Sequence, residues 1–131
     1  MATLHKQIFI EASVDDVWSA VRDIGALHTR LVPGFVLDTR LEGEERVVTF
    51  ANGSVLREPI ISLDDERHRL AWSAEGNGIR HYNAVLQIAA RGAGTQVVWT
   101  SDLLPHELAG SMSGMQDQAL GAMKRALEVV R

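Results

Sequence analysis

The sequence predicts an α+β fold, a curved antiparallel sheet of about six or seven strands wrapped around one long C-terminal helix, with two short helices after the first strand. Three observations carry this reading. Between Phe35 and Leu104, strand-like alternation is broken at intervals by turn residues. From Pro105 onward, apolar side chains recur at helical spacing. Ser13-Val14-Asp15-Asp16, directly behind an N-terminal strand pattern, has the form of a helix start.

The first strand is expected over His5 to Glu11, with Ile8 and Ile10 on one face and Gln7, Phe9 and Glu11 on the other. Ser13 can accept from the amide three residues on, and Asp15 and Asp16 put negative charge where the helix dipole favours it. Val14, Val17, Trp18 and Val21 then give this helix one buried stripe. A second short helix or turn is expected over Asp23 to His28, closed by Pro33-Gly34.

In the meander that follows, turns are expected at Glu42-Gly43-Glu44, Asn52-Gly53, Asp64-Asp65-Glu66, Gly76-Asn77-Gly78 and Gly92-Ala93-Gly94. Asn52-Gly53 suits a two-residue type I′ turn, which needs positive φ at both positions. Alternation groups Leu56 with Glu58 and Ile60, and Leu70 with Trp72 and Ala74. It likewise groups Tyr82, Ala84, Leu86 and Ile88, and Val97, Trp99, Ser101 and Leu103; all four sets are assigned to the concave face.

Pro105 suits the first position of a helix, so the last helix starts there or slightly later. Its stripe reads Leu108, Met112, Met115, Ala119, Met123, Ala126 and Val130, widened by Leu120 and Leu127. About twenty-five residues give it a length of roughly 35 Å, enough to cross a sheet of this size. Gly110, Gly114 and Gly121 each weaken it by roughly 1 kcal/mol relative to alanine. No linker or repeat divides the chain, so residues 1–131 are expected to form a single domain.

Composition excludes several classes of function. Hydrophobic residues are 46% and charged residues 23% of the 131, the balance of a globular protein, and no apolar run is long enough to span a bilayer. Met1 to Lys6 leads into a strand without the apolar stretch of a secretory signal, so a cytoplasmic location is expected. The absence of cysteine removes disulfides and thiolate chemistry. Net charge is −4, and the 13 Lys and Arg residues form no dense block, so neither nucleic acid nor membrane insertion is expected.

A meander that curls over one helix can leave a hollow. Methionine and alanine on the facing stripe fill space adaptably, which fits either a ligand cavity or a core packed with methionine.

The string Ile8-Phe9-Ile10-Glu11-Ala12-Ser13-Val14-Asp15-Asp16-Val17-Trp18, followed by Arg22-Asp23-Ile24-Gly25, resembles the opening of the polyketide cyclase/dehydrase and lipid-transport family. Gly53-Ser54-Val55-Leu56-Arg57-Glu58, Leu63-Asp64-Asp65, Arg69-Leu70-Ala71-Trp72 and Thr95-Gln96-Val97-Val98-Trp99 continue the likeness in the family's order. The family lies in the START-like (SRPBCC) superfamily with the helix-grip fold of the birch-pollen allergen. The sequence looks most like a bacterial branch carrying His28, Pro33-Gly34-Phe35, Phe50-Ala51-Asn52-Gly53, His81 with Asn83, and Asp102 near Pro105. The resemblance implies binding of a small, mostly apolar ligand, such as a lipid, aromatic polyketide or steroid-like molecule, in an internal cavity. The alternative is a cofactor-independent cyclase, dehydratase or isomerase.

No nucleophile elbow, phosphate loop or His-Glu-x-x-His motif is present, and the five histidines lack short ligand spacing, so neither a metal nor a cofactor is expected. Glu58 is the leading acid/base candidate, because alternation puts its carboxylate on an apolar face where it needs a partner or a raised pKa. It can equally be a rim carboxylate held by an arginine such as Arg57 or by backbone amides. His81 is a second catalytic candidate if a bulge brings it to Glu58. Because His81 and Asn83 alternate with Tyr82, only one set can face inward, and alternation alone leaves the choice open. His28 falls in the segment that caps the cavity in related folds. The expected ligand contacts are thus His28 from that capping segment, with Phe35, Leu56, Glu58, Trp72 and Tyr82. Trp99, Met112, Met115, Ala119 and Met123 complete them. A third reading is an interaction module or homodimer docking through outward residues such as Val48, Val98 and Ile61.

Overall fold

The structure, a computed structural model, describes residues 1–128. In chain order it contains β1 (Ala2–Ile10), α1 (Val14–Arg22), a π-helical turn (Leu27–Leu31), β2 (Val36–Glu42), β3 (Glu45–Phe50), β4 (Val55–Asp64) and β5 (Arg69–Ser73). There follow β6 (His81–Arg91), β7 (Gly94–Leu104), a 3-10 turn (His106–Leu108) and α2 (Ala109–Leu127). The seven strands form one antiparallel sheet in the order β1-β7-β6-β5-β4-β3-β2, which is the helix-grip arrangement expected. Only the pairing of β1 with β7 joins strands distant in sequence, running from Ala2 opposite Leu103 to Ile10 opposite Thr95.

Alternation delivers the inner face. Leu56, Glu58, Leu70, Trp72, Ala74, Tyr82, Ala84, Leu86, Ile88, Val97, Ser101 and Leu103 are buried. Strand β3 adds Arg46, Val48 and Phe50 to the same face. Val48, expected to point outward, is therefore fully buried, whereas Ile61 is exposed.

The helix α1 forms as its cap predicts. Ser13 Oγ accepts from the Asp16 amide at 3.1 Å, and Val17, Trp18, Ala20 and Val21 are buried. The indole N–H of Trp18 donates to Asp65 at 2.9 Å and Arg22 Nε donates to it at 2.6 Å, clamping α1 to the β4–β5 turn. These two hydrogen bonds, Arg22's first, hold the Asp65 carboxyl below its usual range.

Three boundaries and one turn differ from expectation. Strand β1 begins at Ala2, because β7 supplies partners to its start. The second helical piece lies at Leu27–Leu31, later than Asp23 to His28, since Leu27 and Leu31 are its buried residues. Pro105 is extended, with ψ 154°, so it precedes a 3-10 turn instead of opening the helix; α2 follows slightly later, from Ala109, and runs for 19 residues where about twenty-five were expected. Val130 lies outside the described residues. At Asn52-Gly53 only Gly53 has positive φ, at +90°. Phe50 there closes a longer loop, accepting from the Gly53 amide at 3.0 Å and donating to the Ser54 carbonyl at 2.9 Å, so the two-residue turn is not formed.

Helix α2 is fastened to β1 by polar contacts. Lys6 Nζ reaches Ser113 Oγ at 2.7 Å and Asp117 at 2.9 Å. Lys124 Nζ donates to the Phe9 carbonyl at 2.7 Å, and Glu128 accepts from the Glu11 amide at 2.7 Å. β1 also packs closely on Gly94, where an added Cβ would sit 2.8 Å from the Ile10 carbonyl and against the Phe9 ring. Gly94→Ala should therefore cost about 1–3 kcal/mol, seen as a lowered urea midpoint with an unchanged slope.

Candidate functional site

Between the concave sheet face and α2 lies a cavity of about 90 Å³. That is several times the space of about 10–15 Å³ that one water needs. Leu27, Leu31 and Val32 close it beside the π-helical turn; Phe35, Val36, Arg46, Phe50, Leu56 and Glu58 come from the loop before β2 and from β2, β3 and β4. Leu70, Trp72, Ala74, Tyr82, Leu86 and Trp99 form the wall from β5 onward, and Met112, Met115, Gln116, Ala119 and Met123 come from α2. A cleft outside it, bounded by Pro33, Gly34, Ala51, Asp117, Gln118, Gly121 and Arg125, shares Phe35 with the cavity.

Ten of the residues singled out from sequence line this space: Phe35, Leu56, Glu58, Trp72, Tyr82, Trp99, Met112, Met115, Ala119 and Met123. His28 and His81 do not. His28 sits in the π-helical turn with Nδ1 buried and without a protein hydrogen-bond partner, away from the cavity wall. Strand β6 keeps continuous register with both neighbours, so no bulge rotates it. Tyr82 therefore points inward, Asn83 is exposed, and His81 stands half-buried opposite Leu104. The pairing of His81 with Glu58 is corrected accordingly.

Glu58 has a partner that sequence reasoning did not name. Arg46 Nε donates to Glu58 Oε1 at 2.8 Å, with 3% and 8% of the two side chains exposed. Arg46 stands directly opposite Glu58 in the β3–β4 register, and its guanidinium lies 5.5 Å from the centre of the Trp72 ring. Arg57, the partner considered from sequence, instead binds Glu42 and Glu45 at 3.1 Å and 2.9 Å. Burial raises the Glu58 pKa, and the Arg46 charge and hydrogen bond offset this only in part.

A second polar group spans the sheet and helix. Gln116, 2% exposed, donates from Nε2 to Tyr82 Oη at 3.0 Å and to Ser101 Oγ at 2.9 Å. Burial is the chief reason the Tyr82 phenol is pushed up to about 12; the Gln116 hydrogen bond opposes this and the Glu58 charge adds to it. Two buried polar atoms here have no protein hydrogen-bond partner: Gln116 Oε1 and Trp99 Nε1. The Trp99 and Trp72 rings lie 5.8 Å apart, tilted by 51°.

The inward placement of Arg46 and Gln116 was within reach of sequence reasoning, but their partners were not. Arg46 shares a strand face with Val48 and Phe50, and Gln116 lies four residues after Met112 and three before Ala119. Among the described residues no group of three or more His, Asp or Glu side chains gathers to hold a metal ion. None of their helices is long and apolar enough to cross a membrane.

The family model described as polyketide cyclase / dehydrase and lipid transport matches residues 1–128. Among solved structures, the protein XoxI from Bacillus cereus superposes with a TM-score of 0.86 at 18% identity, covering 97% of this chain and 96% of that one. Ara h 8.0201 superposes with a TM-score of 0.77 at 12% identity, covering 96% and 97%. Norcoclaurine synthase from Thalictrum flavum gives 0.71 at 19%, covering 97% and 84%. These likenesses establish the fold. No curated protein matches the sequence.

Two outcomes follow from the site's electrostatics. Arg46→Ala or Glu58→Ala alone should cost about 3–5 kcal/mol by stranding the other charge, whereas Arg46→Met with Glu58→Leu should cost less than either, as read from urea unfolding. Tyr82 is the single tyrosine, so absorbance near 295 nm should show no phenolate step at pH 10 and a step near about 12. Because the folded pKa exceeds the ordinary value of 10.0, the stability tied to this phenol is complete below about pH 10 and is lost as pH rises towards 12.

Proposed function

Because the chain belongs to the polyketide cyclase/dehydrase and lipid-transport family, we propose that its cavity binds a small, mostly apolar molecule, a lipid, aromatic polyketide or steroid-like compound, for carriage or sequestration. The observation that carries this reading is the wall itself. Aliphatic, aromatic and thioether groups make up most of it, and its polar side chains fall into the Arg46–Glu58 pair and the group around Tyr82 and Gln116. An apolar wall with few convergent polar groups is the usual composition of a small-molecule site. Met112, Met115 and Met123 can shift their rotamers around ligands of different shape. The reading is of a cytoplasmic protein that acts without a metal or cofactor and needs no nucleic acid or membrane insertion; a homodimer is compatible with it.

Native mass spectrometry of protein taken straight from cells, followed by titration with a lipid, steroid and aromatic polyketide panel, tests the proposal. Ala119, 4% exposed on the cavity wall, offers a plug: Ala119→Phe should weaken binding by about tenfold or more while leaving the fold intact by circular dichroism. Undiminished binding in that variant would remove the cavity as the site.

The raised pKa of Glu58 inside an apolar space favours a second reading, a cyclase, dehydratase or isomerase with Glu58 as proton carrier near Tyr82. One structural neighbour bears the name of a synthase. Here the Arg46 guanidinium occupies one carboxylate oxygen, so the proton would move through the other. Glu58→Gln should then abolish turnover of a bound carbonyl compound and spare its affinity; equal turnover in the variant dismisses this role.

A further inference from the structure

The cavity is polar at two places, and their states differ. At the first, Arg46 and Glu58 satisfy one another's charge at 2.8 Å. At the second, Gln116 spends its Nε2 on Tyr82 and Ser101, and its Oε1 is buried without a protein partner. The Trp99 indole N–H is buried and unpartnered as well. The two groups share one region of the wall: Gln116 bonds to the Tyr82 and Ser101 hydroxyls, and Trp99 stands two residues from Ser101 on the same face of β7 and lines the same cavity.

An indole nitrogen can only donate, and an amide oxygen can only accept. A ligand group that answers both must accept one hydrogen bond and donate another. A hydroxyl does this with a single atom. An ether or ketone oxygen accepts but leaves Gln116 Oε1 unmet, and a hydrocarbon leaves both unmet. A carboxylate brings a charge to a site whose nearby cation, Arg46, is already bonded to Glu58. Burial disfavours such a charge, as it does the ionised forms of Glu58 and Tyr82.

We infer that the cavity selects neutral apolar alcohols or phenols, seated with the hydroxyl between Trp99 Nε1 and Gln116 Oε1 and the hydrocarbon part against Trp72, Leu86 and the methionines of α2. This rests on the proposal that the cavity is a ligand site, and adds the chemical class and orientation of the guest.

The test is a calorimetric titration of the intact protein with 4-propylphenol, 4-propylanisole, propylbenzene and 4-propylbenzoate, with the indole N–H signals followed by NMR. The phenol should bind about tenfold or more tighter than propylbenzene and tighter than the anisole, with the benzoate weakest. The indole signal that Trp99→Phe removes should move with the phenol and stay in place with propylbenzene. Gln116→Leu should bring the phenol down to the affinity of the hydrocarbon. Equal affinity of phenol and propylbenzene, or a benzoate that matches the phenol, overturns the inference and leaves the cavity proposal standing. Failure of all four to bind also overturns the inference, and the cavity proposal is then decided by the lipid, steroid and polyketide panel with Ala119→Phe. The wild-type comparison decides by itself, whether or not either variant folds.

Discussion

The structure depends on holding α2 against the sheet along one margin. Lys6, Lys124 and Glu128 fasten the helix to β1, and β1 is itself paired along its whole length with β7. Toward β3, β4 and β5 no comparable set of polar contacts among the described residues draws the helix down, and Met112, Met115 and Met123 face aromatic and aliphatic side chains there. A rod pinned on one side of a concave surface leaves a gap on the other. The cavity is thus a product of where the fasteners sit, and close packing of Gly94 on Phe9 and Ile10 keeps β1 tight against β7.

The second constraint is the pair of charges that the sheet buries. Arg46 and Glu58 face each other across adjacent strands, so the register of β3 on β4 fixes their geometry before any ligand is considered. A buried ion pair of this kind adds little net stability over apolar residues of similar size. Its value here is polarity inside a greasy space, set beneath the Trp72 ring. The carrier and catalyst readings diverge at this pair: a carrier needs it only as a fixed dipole, whereas a catalyst needs a carboxylate oxygen free to exchange a proton.

Much of the architecture was legible because strand alternation and turn residues act locally. Ser13 announced α1, and the faces of β4, β5, β6 and β7 followed from a period of two. The miss at Asn52-Gly53 arose because the backbone of Phe50 closes a longer loop, a choice made by the surrounding strands. Pro105 misled in a similar way, since φ suited to a first helical turn is equally suited to the extended residue before one. Of the site, the apolar wall was visible and the polar logic was not. Arg46 stands opposite Glu58 only once β3 and β4 are in register, and Gln116 meets Tyr82 only when the helix lies over β6. Those relations are tertiary, and no spacing along the chain encodes them. The inward choice of Tyr82 over His81 was likewise settled by register with β5 and β7.

The three thioethers of α2 stand at different depths in the cavity lining. Met123 is 2% exposed, whereas Met112 and Met115 are half-buried and nearer to any soluble oxidant. Conversion of either sulfur to a sulfoxide would set a strong dipole into a lining chosen for grease, stiffen a side chain whose use is its pliancy, and lower the affinity for hydrocarbon. Reductase action would reverse the change, so the pliancy that suits these residues to an adaptable lining comes with a chemically sensitive sulfur.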